Sequence, residues 1–146
     1  MSINSYIGMA ENKKQSLEIL IGIVGKLSGA GLISANGGAG GLPTGGGGGG
    51  GRIAIYYTSN LFTGSFTARS GPAAIYGGAG TVYISPNNGT ASQLIVDNGG
   101  SRGTNTPANS SPSSFANLTI SGGAAVFSTL LSRFTTLQIG QLRPCS

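Results

Sequence analysis

Histidine and tryptophan are absent from this chain, and cysteine occurs once, as Cys145. Without histidine, the side chain that most often serves as general base and zinc ligand is missing. A lone thiol forms no internal disulfide and gives no metal-ligand spacing, and nothing beside Cys145 in "QLRPCS" would activate it. Carboxylates are almost as scarce: Glu11, Glu18 and Asp97 are all there are. A calcium cage needs several acidic oxygens, and a glycosidase pair would require Asp97 to find a partner in the N-terminal segment. Serine and threonine are plentiful, but a hydroxyl nucleophile without a base is inert. The chain is therefore expected not to be an enzyme, with no catalytic residue, no cofactor and no metal site. Asp97, followed by Asn98 and Gly99, reads as a turn former.

Charge of either sign is sparse. Charged residues make up 8% of the 146, against roughly 25% in an ordinary soluble domain. The net charge of +5 arises mainly from the shortage of acids, and the eight cations are spread along the chain. Without a dense basic patch, no nucleic-acid partner is expected. Long hydrophobic runs are missing too. The apolar core Ile19–Val24 of "KKQSLEILIGIVGKLSGAGLISA" is far too short to span a bilayer. Glu18 and Lys26 interrupt its likeness to a secretory leader, so it reads as a strand.

What remains is glycine, 28 residues of it, between short alternating apolar runs. Residues 1–16 are polar and form a separate segment, helical or disordered. From residue 17 to 146 helical periodicity disappears. The runs "LEILIGIV", "RIAIYYT", "TVYIS", "QLIVD", "NLTIS", "AAVFS" and "TTLQIG" are branched, aromatic and bounded by Gly, Asn or Pro, which predicts strands and turns. The stretch 98–116, "NGGSRGTNTPANSSPSSFA", lacks alternation and reads as a long loop or linker.

One unit recurs: apolar, any residue, apolar, up to two polar residues, then glycine. Its lead residues Ile33, Phe66, Leu94, Leu118 and Leu137 stand 33, 28, 24 and 19 positions apart, near the size of one structural repeat. Two inward side chains per strand cannot make a core alone. Stacking the strands would align the lead residues in one interior column and Ala35, Ala68, Val96, Ile120 and Ile139 in a second. The predicted fold is all-β, a right-handed parallel β-helix fragment with glycine-rich loops; an antiparallel β-sandwich is the alternative.

The seven glycines Gly45–Gly51 lead into Arg52 and "IAIYY". A phosphate cradle would open a helix or end in Lys-Ser/Thr; here a strand follows. A flexible tether would join domains, whereas this run joins two strand-like segments. It is expected to be a surface loop closing one coil into the next, where backbone passes close to backbone. Tyr56, Tyr57, Tyr76 and Tyr83 with Arg52 form a candidate ligand-contact strip, the alternative being aromatic ladders packed along a sheet.

The blocks "LSGAGLISANGGAGG", "GGGGGGGRIAIYYTSNLFTGSFTA", "GGAGTVYIS" and "QLIVDNGG" resemble the glycine-rich repeat region of large bacterial surface or secreted proteins of the adhesin-like, autotransporter-like kind. The resemblance covers roughly residues 27–100. It implies a parallel β-helix placed outside the cell or on its surface, serving as a structural and binding segment. Partners would be cell-surface glycans or other surface proteins, with self-association through exposed sheet edges. A carbohydrate-active β-helix enzyme fragment and an ice- or surface-binding solenoid are the alternatives. The segment 1–16 has no counterpart in that pattern.

Overall fold

A computed structural model describes residues 18–41, 43–88, 92–107, 117–124, 126–127 and 136–139. Residues 1–16, Cys145 and positions 108–116 of the expected linker lie outside the described residues. The described part is strand-rich and contains no helix, so none long and apolar enough to cross a membrane. Each of the seven alternating runs contributes a strand.

The main sheet contains β1 (Glu18–Gly29), β3 (Arg52–Phe62), β5 (Thr81–Pro86), β6 (Gln93–Asp97), β8 (Asn117–Ser121) and β10 (Thr136–Ile139), side by side in that order. Two small sheets accompany it: β2 (Leu32–Ser34) with β4 (Ser65–Thr67), and β7 (Thr106–Pro107) with β9 (Val126–Phe127). Every pairing is parallel except β5 with β6, which is antiparallel. The sheet is therefore mixed, with a reversal at one joint.

That reversal decides where the core sits. Ile53 lies opposite Val82 and Ile55 opposite Ile84 in the parallel β3–β5 pair. Successive strand residues face opposite sides, so these four share one face and Ala54 and Tyr83 the other. Across the antiparallel joint Val82 meets Ile95 and Tyr83 meets Leu94. Leu94 in turn lies beside Leu118, and Val96 beside Ile120. The two halves of the sheet thus bury opposite faces. One core holds Leu27, Ile33, Ala35, Ile53, Ile55, Ala68, Val82 and Ile84, with Ile95 packed against it. The other holds Ala79, Leu94, Val96 and Leu118, with Tyr83 and Ile120 packed against it.

The expected five-membered column is accordingly corrected. Ile33 pairs with Phe66 in one small sheet, while Leu94, Leu118 and Leu137 align in the main sheet. Phe66 and Leu94 are in different sheets because β6 joins the edge of β5 rather than that of β4. A further column, Ile19–Ile53–Val82, runs through β1, β3 and β5. The alternation of inside and outside holds, and so do the neighbours Ile33–Phe66, Leu94–Leu118 and Leu118–Leu137; the one failed step is that from Phe66 to Leu94.

The polyglycine run is sandwiched between backbones. Gly48 N–H donates to Gly38 and Gly51 N–H to Ala35, while Gly47 N–H donates to Ile75 and Gly50 N–H to Gly78. The directions recur every third residue, Gly47 and Gly50 toward one neighbour and Gly48 and Gly51 toward the other, the period of a polyproline II helix rather than the period of two of a pleated strand. Gly71 N–H completes the block by donating to Gly48. A Cβ on Gly50 would strike Ala68 O and Gly80 N, and one on Gly71 would strike Gly38 O. Close passage of main chain is therefore what the glycines are for.

Candidate functional site

Turn residues from four strand ends meet at one corner. Arg69 N–H donates to Asn36 Oδ1 (2.8 Å) and Ser70 N–H to Asn98 Oδ1 (2.8 Å). The Arg69 guanidinium donates through Nε (3.0 Å) and Nη2 (2.7 Å) to Asp97 Oδ2. The other carboxylate oxygen accepts from Gly99 N–H and Ser121 Oγ, both at 3.2 Å. Buried Asn98 donates to Ser101 O (2.8 Å) and Gly77 O (3.3 Å). These are the polar positions of the recurring unit, stacked from one strand end to the next. Two of the turns repeat in detail: Gly99 and Gly100 have φ of 66° and 95°, Gly122 and Gly123 of 60° and 76°, a left-handed backbone that suits glycine. Gly100 N–H donates to Gly122 O across them.

Asp97 therefore closes its own turn and ties it to two neighbours, the role its sequence context suggested. Partial burial acts to raise its pKa, but the hydrogen bond from Arg69, then the Gly99 N–H, the Arg69 charge and the Ser121 hydroxyl outweigh it. The net effect holds the carboxyl below its ordinary value of 3.8. A lowered native pKa means that the unfolded chain binds the proton more readily, so acid favours unfolding. The contribution of Asp97 is thus complete above its ordinary pKa and lost as pH falls through the lower native value. We expect Asp97→Asn to lower the melting midpoint at pH 7, and the gap from the wild type to close as the pH is taken from 5 down to 2. A gap independent of pH in that range would show the ionised carboxylate to be irrelevant.

The structure does not gather the five residues of the expected strip. Arg52 and Tyr56 alternate with the buried Ile53 and Ile55 on β3, which places them on the face of Ala54 and Tyr83. The Tyr56 and Tyr83 rings meet edge to face, with centroids 5.8 Å apart. Tyr83 also packs against the second core, so this pair is a ladder roofing a core. Tyr57 packs against the first core instead. Tyr76 is off the sheet, in the segment that leads from the exposed Ile75 to Gly77.

One concave feature lies beside this face. A groove of about 390 Å³ is walled by three backbone segments, Gly49–Arg52, Gly78–Thr81 and Thr104–Pro107. Hydrogen bonds set their spacing: Gly50 N–H to Gly78 O (2.9 Å), Thr81 N–H to Gly51 O (3.1 Å) and Thr106 Oγ1 to Ala79 O (2.7 Å). Its polar side chains are Arg52, Thr81, Thr104, Asn105 and Thr106. Sequence reasoning singled out Arg52 alone. The signal for the others was weak: Thr81 only opens the strand-like run "TVYIS", and Thr104, Asn105 and Thr106 fall in the stretch 98–116 that reads as loop or linker. Comparisons of the chain with protein families, curated proteins and solved structures give no match.

Proposed function

We propose that this chain is a non-catalytic structural and binding segment of a glycine-rich parallel β-solenoid, displayed outside the cell or on its surface. The observation that carries this reading is the parallel, coil-like register: Glu18, Arg52 and Thr81 align at the starts of three strands, and Ile33 aligns with Phe66 on the next face. Parallel neighbours require the chain to travel round and return between strands, which is what a solenoid does. The stacked Asn36, Arg69, Asp97 and Ser121 corner adds the inter-coil contacts that such a fold repeats. The antiparallel β5–β6 joint is then a local fold-back within the stack. A body built of paired amides, with few charges and threonine- and tyrosine-bearing faces, suits adhesion to hydroxyl-rich surfaces more than chemistry.

The test is retention of the full chain on an array of surface polysaccharides, read together with the release of reducing ends. Retention on at least one glycan without chain cleavage is the expected result. Release of reducing ends that is lost in Asp97→Ala would replace this reading with the enzyme alternative. Absence of retention throughout would remove the binding role. The same reading makes the outer edge of β1 a template for a further parallel strand, and light scattering is expected to give a mass above that of one chain at micromolar concentration. A monomer at every concentration would refute that edge pairing.

A further inference from the structure

The polyglycine strand has three sides, and the fold uses two of them for its amides. Gly47 and Gly50 donate to Ile75 and Gly78, and Gly48 and Gly51 to Gly38 and Ala35. At a period of three, Gly46 and Gly49 share the remaining direction, and neither N–H has an acceptor among the described residues. The packing does not require glycine at these two positions. A Cβ on Gly45, Gly47 or Gly50 would strike main chain, but one on Gly49 would meet only Gly78 O, at 3.6 Å, and one on Gly46 only Ile75 O, at 3.9 Å. Bare backbone on that side therefore answers to something other than the close passage that explains its neighbours.

Gly49 forms part of the wall of the 390 Å³ groove, together with Gly78, Gly80 and the exposed Thr104 and Asn105. The Thr104 hydroxyl and the Asn105 carboxamide have no partner among the described residues. A carboxamide offers one carbonyl and an N–H pair, the same groups as a peptide bond. Arg52 lies opposite Glu18 in the β1–β3 register and is already engaged, so a ligand of this groove must be recognised without charge. No aromatic ring lines it, which removes the platform on which proline-rich segments dock. The Gly46 and Gly49 amides stand one turn apart, about 9 Å at 3.1 Å per residue, the interval at which a second chain of the same extended form repeats its carbonyls. We propose that the groove seats an extended glycine-rich segment of another polypeptide, laid against the polyglycine strand as one more member of the block. Its carbonyls would accept from the Gly46 and Gly49 N–H groups, and its peptide groups would bond to Thr104 and Asn105. Glycine is needed in the occupant for the reason it is needed at Gly50 and Gly71, where one main chain passes against another.

A polypeptide seat of this kind is independent of the glycan retention proposed above, and either can fail while the other holds. The experiment follows the fluorescence anisotropy of labelled octaglycine and labelled octaproline on titration with the full chain, as wild type, Gly49→Val and Asn105→Ala. Octaglycine is expected to bind saturably and at least tenfold more tightly than octaproline, which is extended but has no N–H and carries rings. Gly49→Val is expected to abolish octaglycine binding, because its side chain would occupy the groove, while melting stays near the wild type. Asn105→Ala, at an exposed position, is expected to weaken binding about threefold or more. Salt between 50 and 500 mM is expected to leave the affinity unchanged, as fits a site without charge. No saturable binding of octaglycine by the folded wild type, equal affinity for octaproline, or affinity that survives Gly49→Val in a folded protein overturns the proposal. If Gly49→Val does not fold, Asn105→Ala decides in its place, and unchanged affinity there overturns it as well.

Discussion

Gly71→Ala is expected to cost about 3 kcal/mol or more, the upper end for overpacking a tight interior. Against a total stability of roughly 5–15 kcal/mol, that loss raises the unfolded fraction about a hundredfold. Gly71 is buried, and the added Cβ would meet Gly38 O and, at 2.7 Å, Gly37 O. Neither is the end of a flexible side chain. Relief would require separating two main chains that are held by Gly37 N–H to Arg69 O and by Gly40 N–H to Pro72 O. Gly50→Ala is expected to behave alike, since its Cβ would fall against Ala68 and Gly80. The control is Gly31→Ala, where a Cβ meets nothing within 4 Å and the loss of unfolded-state freedom can stabilise by about 0.4–1 kcal/mol. Urea midpoints of the three variants decide the matter. Equal midpoints for Gly71→Ala and Gly31→Ala would mean that the glycine block is loose.

That contrast also measures what could be read in advance. The alternating runs announce strands because branched and aromatic residues at period two have no other good use in a chain this poor in charge. "QLIVD" and "NLTIS" became β6 and β8 with Leu94 and Val96 inside, as their pattern required. The turn signals were as legible: Asn98, Gly99 and Gly122 all form turns where polar and glycine residues follow an apolar pair. Partner choice was legible within each half, where β2 pairs with β4 and β6 with β8, and failed at the step between the halves. Phe66 and Leu94 carry the same local pattern, and nothing local says that one strand joins β2 and the other folds back on β5. The groove was hidden for a related reason. Its walls are glycines and threonines from segments about 29 and 26 positions apart in sequence (52, 81 and 107 at their ends), brought together only by the passage of one backbone over another.

Tyr83→Ala reads that unforeseen fold-back directly. In a coil with one interior, Tyr83 would face solvent, since it alternates with the buried Val82 and Ile84, and its truncation would change stability by at most about 0.5 kcal/mol. With β6 reversed, the ring lies on the side of Leu94 and packs against the second core. Truncating a fully buried aromatic costs about 3–5 kcal/mol; for this half-buried ring roughly 2 kcal/mol is expected by the same measure. Tyr83→Phe keeps the ring and should stay near the wild type. The Tyr56 contact should appear as a coupling of about 0.5–1.5 kcal/mol in a double-mutant cycle. Ile55, fully buried in the other core, should lose about 2–5 kcal/mol on mutation to Ala, adding to the Tyr83 effect without coupling because the two side chains occupy opposite faces. A neutral Tyr83→Ala, with Ile55→Ala strongly destabilising, would instead place all the apolar residues of β3, β5 and β6 around one interior and remove the reversal from the fold.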